Sequence, residues 1–336
     1  MHGVDLTRLR GARRLCLFAQ YHQDAIVADH VVRYLRALAD AGFAVLVLST
    51  SPLSEGECAK VRATGAELVL RANHGMDFGG WIEACRALFP IQAELLLLAN
   101  DSVYAPLGDL TAFVDRLTGV DADFYGALET FEIAPHLQSW FVLLRPSAYR
   151  SDAFAALMLQ PMAPTGSKLE LVTRYEVGLT QALARAGYRY HAAFTLADCG
   201  GIARAVPYNP AHLLWREMIE SGVPFLKVEL LRLNRMRVST TARWRAVVGA
   251  HAPDMVPPIE ADLAQRGTVP PPGQLAISRD RDVYWPEVRG IVLADHRSGG
   301  RHAARYLTLF RVVTALTRGP RWVAARAFGV LLRLRG

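Results

Sequence analysis

A chain of 336 residues with 51% hydrophobic side chains and a net charge of +7 has the size and apolar content for one large α/β domain with appendages or for two domains, which excludes a wholly disordered protein. The excess charge is local: residues 301–336 hold eight arginines and no Asp or Glu, while the remainder is close to neutral, so a nucleic-acid footprint spread over the whole surface is excluded. The four cysteines (Cys16, Cys58, Cys85, Cys199) form no CxxC pair and lack the histidine spacing of a zinc site, and no apolar run reaches the roughly 18 residues of a membrane span.

In chain order, RLCLFAQY (Arg14 to Tyr21) predicts a first strand. Apolar residues at helical spacing predict a helix over Ala25 to Ala41 that stops at Gly42. AVLVLST (Ala44 to Thr50) is a second buried strand, and SPLSEGE opens a helix after it. ELVLRAN (Glu67 to Asn73) is a third strand. It leads into HGMDFGGW, where three glycines are expected to make tight turns before a short helix, Trp81 to Leu88.

ELLLLANDSVYAP (Glu94 to Pro106) follows. Its four successive leucines suit a strand buried on both faces, and the run ends abruptly in Asn100, Asp101 and Ser102, at the sheet edge where open α/β sheets bind ligands. Asp109 starts another helix, DFYGALE (Asp123 to Glu129) is a fifth strand and HLQSWFVLLRP (His136 to Pro146) a sixth. A helix over Arg174 to Tyr188, a strand over Tyr188 to Phe194, and two helices broken at Gly222 and Pro224 within Tyr208 to Asn234 complete the pattern. Such alternation predicts a doubly wound, mostly parallel sheet flanked by helices.

Three units are expected: residues 1–234 as the main domain, 235–300 as a helical or loop extension containing the proline-rich VPPPG, and 301–336 as a basic tail. In the tail, arginines alternate with Leu, Phe, Val and Trp at spacings that suit amphipathic helices, either docked on the protein's own core or, since no acidic residues balance the arginines, in contact with an anionic membrane surface, the reading favoured here. Arg13 and Arg14 precede only LCLFA, too short for a secretory signal core, and a cytoplasmic location, peripheral on the inner face of the plasma membrane, is expected.

Several residues carry chemistry. Asn73, Gly75 and Asp77 lie in a glycine-rich turn that is either structural or presents N–H groups and a carboxylate to a nucleotide or sugar, but the turn is neither GxGxxG nor a P-loop. Asp101 either caps a turn with Asn100 and Ser102 or ligates a divalent cation beside a diphosphate. Glu176, near the start of its predicted helix, is either a favourable charge at the helix dipole or a general base. His136 and Gln138 either orient a hydroxylated ligand or satisfy loop hydrogen bonds.

Taken together, NHGMDFGGW, LLLANDSVYAPL, HLQSWFVLLRP, YEVGLTQALARAGY and NPAHLLWREMIESGVPFLKVELL resemble the rhamnan synthesis protein F family, bacterial proteins of cell-surface polysaccharide assembly related to GT-A-type glycosyltransferases. The resemblance covers roughly Arg14 to Asn234 and implies a GT-A-like fold. It implies an inverting, rhamnosyltransferase-like enzyme with a nucleotide diphosphate donor such as dTDP-rhamnose and a glycan or lipid-linked acceptor; no nucleic-acid partner is expected, because the basic tail lacks polar base-reading residues and is rich in aliphatic ones. By the resemblance Glu176 is the catalytic base, Asn73, Gly75 and Asp77 belong to the nucleotide-sugar pocket, and Asp101 takes the diphosphate or a Mg or Mn ion; beside these, Asn100 and, as a weaker candidate, Lys227 are expected at the donor, and His136 and Gln138 at the acceptor. The usual Asp-x-Asp appears here as Ala99, Asn100, Asp101, and that departure leaves a second implied function: a catalytically inactive GT-A-like scaffold at the membrane.

Overall fold

A computed structural model describes residues 4–130, 133–162, 167–195, 209–234 and 239–267. The expected tail over 301–336, the proline-rich break and Cys199 lie outside these residues. After α1 (Leu6–Arg10), the chain alternates β1 (Arg14–Gln20), α2 (Asp29–Asp40), β2 (Phe43–Ser49), α3 (Glu55–Arg62), β3 (Glu67–Leu70), α4 (Met76–Leu88) and β4 (Leu95–Asn100). β3, β2, β1 and β4 lie side by side and parallel, with Leu97 of β4 opposite Cys16 of β1.

Every residue of β4 is buried, as a strand covered on both faces requires. Leu95, Leu97 and Ala99 enter one core with α2, α3 and α5 (Leu110–Thr118), whereas Leu96 and Leu98 enter the opposite core with α4. Each fully buried leucine contributes about 1.5–3 kcal/mol relative to exposure. The expected α/β class, a mostly parallel sheet flanked by helices, is borne out in this layering.

The second half of the sheet reverses two short strands. β5 (Val103–Tyr104) leaves the sheet, β6 (Phe124–Thr130) returns to it, and the segment expected as one strand over His136 to Pro146 is two: β7 (His136–Leu137) and β8 (Phe141–Leu144). β8 runs antiparallel between β4 and β6, while β9 (Tyr190–Phe194) pairs β6 in parallel. Between them come α6 (Pro146–Tyr149), α7 (Asp152–Met158) and α8 (Lys168–Leu171), then a π-helical turn, Val172–Val177, and α9 (Gly178–Arg185). The helix expected over Arg174 to Tyr188 therefore begins earlier, because Ser167 caps it by accepting from the Glu170 N–H at 3.1 Å.

The last stretch also departs from expectation. Instead of two helices, residues 209–234 form α10 (Pro210–Leu213), α11 (Trp215–Glu220), β10 (Leu226–Lys227) and α12 (Val228–Arg232). β10 pairs antiparallel with β5, a contact between residues more than a hundred positions apart that local periodicity does not encode. α13 (Trp244–His251) and α14 (Val256–Arg266) pack on this ribbon, so Tyr104, Trp215, Leu226, Trp244, Met255 and Ile259 share a third core.

Candidate active site at the carboxyl ends of the first and fourth strands

Two adjacent parallel strands, β1 and β4, end at Gln20 and Asn100, and the residue after each helps to form the site. The Tyr21 N–H donates to Asp101 Oδ2 at 2.9 Å, and the Asp101 N–H donates to the Ala19 carbonyl at 3.2 Å. The carboxylate is thus fixed by the neighbouring strand end. Burial pushes the Asp101 carboxyl up to about 7, with the nearby Asp77 charge adding to the rise and the Tyr21 N–H opposing it.

Asp77 belongs to α4, and here the sequence reading is corrected. The helix starts at Met76, not Trp81, and only Gly75 of the three glycines makes the turn, at φ +71. Gly79 and Gly80 lie inside the helix, Gly79 for want of space: a Cβ there would stand 2.0 Å from the His74 carbonyl oxygen, whereas one on Gly80 would meet the Leu48 side chain at an ordinary contact distance of 3.4 Å. The close packing brings the first turn of α4 onto the strand ends. Asp77 accepts from Asn100 Nδ2 at 2.7 Å, while Asn100 Oδ1 accepts from the Ser102 N–H at 3.1 Å and the Ser102 hydroxyl at 2.6 Å. Burial raises the Asp77 carboxyl; the Asn100 bond lowers it, the Glu176 charge raises it, and Lys227 and Lys168 lower it.

Glu176 sits in the π-helical turn rather than at a helix start, so the helix-dipole account of it falls away. Its Oε1 accepts from the Ser139 N–H at 2.9 Å, in the connection between β7 and β8. Next to it, Tyr175 stacks on Phe78 of α4 with centroids 5.7 Å apart, which couples the turn to the residue after Asp77. π-turns inside helices are frequent at functional sites.

A cleft of about 430 Å³ opens here, and it gathers four of the expected donor residues: Asn73, Asp77, Asp101 and Lys227. Gly75 and Asn100 stand behind that lining as supports. Glu176 does not line it, and neither do His136 and Gln138. The last two are buried: His136 Nδ1 is 2.8 Å from the Ala134 carbonyl, and Gln138 Oε1 accepts from the Trp140 indole N–H at 2.7 Å. Among the described residues no cluster of three or more His, Cys, Asp or Glu is placed to hold a metal ion.

Sequence reasoning missed the cationic residues that the later elements bring to the cleft. Arg232 at the end of α12 and Arg266 at the end of α14 both line it, as does Lys168 at the start of α8. The i,i+4 spacing of Asp262 and Arg266 was the available signal, and on a surface helix it reads as an ordinary ion pair.

Residues 45–245 match the family model described as rhamnan synthesis protein F. The virulence protein VirA of Vibrio anguillarum is 22% identical over 262 residues, spanning 68% of this chain and 83% of VirA. The uncharacterized protein y4gN of Sinorhizobium fredii is 26% identical over 161 residues, 46% of this chain and 42% of that protein. Among solved structures, the glycosyltransferase GlyE of Streptococcus pneumoniae aligns at a TM-score of 0.38 and 12% identity, over 79% of this chain and 66% of GlyE. Glucosyl-3-phosphoglycerate synthase of Mycobacterium tuberculosis aligns at a TM-score of 0.31 and 14% identity, over 55% of this chain and 86% of that one.

Proposed function

The chain belongs to the rhamnan synthesis protein F family, and from that premise we propose that it is a glycosyltransferase moving a sugar of the rhamnose class from a nucleoside diphosphate donor to a cell-surface polysaccharide or lipid-linked glycan, with inversion. The observation that carries this reading is the cleft itself. At the carboxyl ends of parallel strands it sets the carboxylates of Asp77 and Asp101 among Lys168, Lys227, Arg232 and Arg266. Cations suit the two phosphates of a donor, and hydrogen-bonding carboxylates suit sugar and ribose hydroxyls.

Transfer needs a base, a nucleophile and a stabilised leaving group. The acceptor hydroxyl gives its proton to Glu176 as its oxygen bonds to the anomeric carbon; the bond from that carbon to the diphosphate oxygen breaks, and its electron pair leaves with the nucleoside diphosphate. Glu176 is held for this by the Ser139 N–H, which takes one of its oxygens and orients the other. Lys227, on the short ribbon beside the cleft, and Asn73, ahead of α4, bind the donor.

A divalent cation fits the two carboxylates on this edge, Asp77 and Asp101, in charge. The Asp77 charge raises the Asp101 carboxyl, a repulsion that Mg or Mn would relieve, and such ions commonly accept one or two protein carboxylates with substrate phosphates completing the shell. Asp101 would hold the ion, which would add positive charge beside the leaving diphosphate. Among the described residues no helix is long and apolar enough to cross a membrane; contact with the membrane through 301–336 remains part of this proposal.

The test is a panel of nucleotide sugars assayed for transfer and slow donor hydrolysis, with calorimetry in the presence and absence of Mg or Mn. Binding of at least one donor with turnover is expected. No binding to any donor would discard the enzyme in favour of a scaffold.

A further inference from the structure

Building on the glycosyltransferase reading above, we propose that α14, which lies beyond the family match, completes the active site by supplying Arg266 as a diphosphate-binding residue, with Arg232 of α12 beside it. Arg266 Nε donates to Asp262 Oδ1 at 2.8 Å, one turn back on the same helix. An ordinary helix-end ion pair would be exposed. Here the side chains are 8% and 1% exposed, and Arg266 lines the cleft that holds Asp101.

Asp262 explains how the arginine is held there. Its other oxygen, Oδ2, accepts from the Tyr104 hydroxyl at 2.8 Å, and Tyr104 follows Asp101 by three residues on β5. The carboxylate therefore ties α14 to the segment leaving the polar edge. His22 Nε2 and His30 Nδ1 each stand 3.9 Å from Asp262 Oδ1, and burial holds both rings below the usual histidine range, that of His30 to about 4. Neutral near pH 7, they leave the guanidinium as the counter-charge of Asp262. Its positive charge also reaches Asp101, whose carboxyl it lowers, so it acts on the ligand space as well as on its anchor.

The neighbouring cations differ in availability. Arg71, also on the cleft, is committed to both oxygens of Glu83, at 2.9 and 3.0 Å, and to the carbonyls of His74 and Met76. Among the described residues Arg266 has one hydrogen-bond partner, through Nε, and a guanidinium fork can hold a carboxylate with one edge and phosphate oxygens with its remaining donors. Arg232 donates to Gln23 Oε1 at 3.4 Å, a long bond that an anion would readily replace.

The experiment is calorimetry on the full chain with dTDP, UDP and GDP and with the corresponding monophosphates. In Arg266→Gln, affinity for the preferred diphosphate should fall about tenfold or more, the loss of a charge-assisted contact, while the monophosphate changes little. Arg266→Lys should recover part of that loss. Because Arg266→Gln strips Asp262 of its counter-ion, Asp262→Asn/Arg266→Gln removes both charges together; with a native circular dichroism spectrum it should show the same selective loss. Wild-type diphosphate affinity in a folded variant, or equal loss for mono- and diphosphates, overturns the role of Arg266 and leaves the glycosyltransferase reading standing. Failure of the wild-type chain to bind any nucleoside diphosphate overturns both.

Discussion

Asn100 Nδ2 donates to Asp77 Oδ2 across 2.7 Å, and this bond joins the carboxyl end of β4 to the first turn of α4. Where the Asp-x-Asp pattern would place a second carboxylate along the strand, a carboxylate instead reaches the same edge from the helix. The amide between them is matched to that arrangement: it donates to Asp77 and accepts from Ser102. Asn100→Asp should therefore be harmful. It exchanges a donor for a second anion at hydrogen-bond distance, so one carboxyl of the pair must stay protonated. The loss of stability should be small in acid and grow above neutrality, to about 1–3 kcal/mol. Urea melts at pH 5 and pH 8 read it; a loss independent of pH would show that the bond to Asp77 is not the cause.

Asp101 gives a pH dependence of definite sign. Its carboxyl is pushed from an ordinary 3.8 up to about 7 in the folded chain, so the folded state holds the proton more tightly than the unfolded state. Stability from this group is fully present below about pH 4 and is lost as pH rises toward 7. Asp101→Asn removes the dependence, and at pH 8 the variant should be more stable than the wild-type chain by on the order of 2 kcal/mol, with donor binding impaired. A variant less stable than wild type at pH 8 would contradict the burial argument.

How much of this was legible in the sequence follows from the range of the interactions. β1, β2 and β4 were readable because each is a continuous apolar run, and Asp101 because the run stops there. The start of α4 was misplaced because glycines usually read as turns. Gly79 is instead demanded by the His74 carbonyl, and Gly80 packs against the Leu48 side chain, contacts invisible along a strand-and-turn pattern. The reversed β8, the β5–β10 ribbon and the arrival of Arg266 at Asp101 depend on pairings across long stretches of chain. Periodicity carries none of that.

Gly79 offers a direct check on the close approach of helix and strand. A methyl group there meets the His74 carbonyl oxygen at 2.0 Å and Arg71 Nη2 at 2.9 Å, and since the first is backbone, the turn over residues 73–77 must shift. Gly79→Ala should cost about 1–3 kcal/mol despite the better helix propensity of alanine. It should also weaken donor binding by displacing Asn73 and Asp77. A gain in melting temperature with unchanged binding would mean that the helix tolerates the added carbon.

The histidines near Asp262 predict an acid limit. His30 is buried, and its ring sits edge-on to Tyr104 with centroids 4.8 Å apart; burial and Arg266 lower it to about 4, with Asp262 opposing. A histidine depressed in the folded state favours folding above its ordinary value of 6.5, and that contribution is lost as pH falls from 6.5 toward 4. His30→Phe keeps a ring against Tyr104 and removes the titration. The stability of wild type relative to the variant should therefore drop between pH 6.5 and 4; a constant difference would assign the ring a packing role alone.

Glu176 decides whether the proposed chemistry is right. The Ser139 N–H donates to Oε1 at 2.9 Å, and a glutamine at this position retains an oxygen to accept it, so Glu176→Gln preserves the anchor while abolishing the base. Removing a positioned base slows transfer by roughly 10²–10⁴-fold. If Glu176 takes the acceptor proton, kcat for transfer falls by that factor, the donor Kd stays close to wild type, and the melting temperature is unchanged. A merely structural glutamate would give the other pattern: Glu176→Gln near full activity, and Glu176→Ala losing stability and donor affinity together because the Ser139 N–H is left without its acceptor. Raising the pH separates the cases further, since an acceptor hydroxyl that must lose its proton without help reacts faster in alkali. The variant's rate should therefore climb with pH where the wild-type rate has levelled; parallel profiles would remove Glu176 as the base.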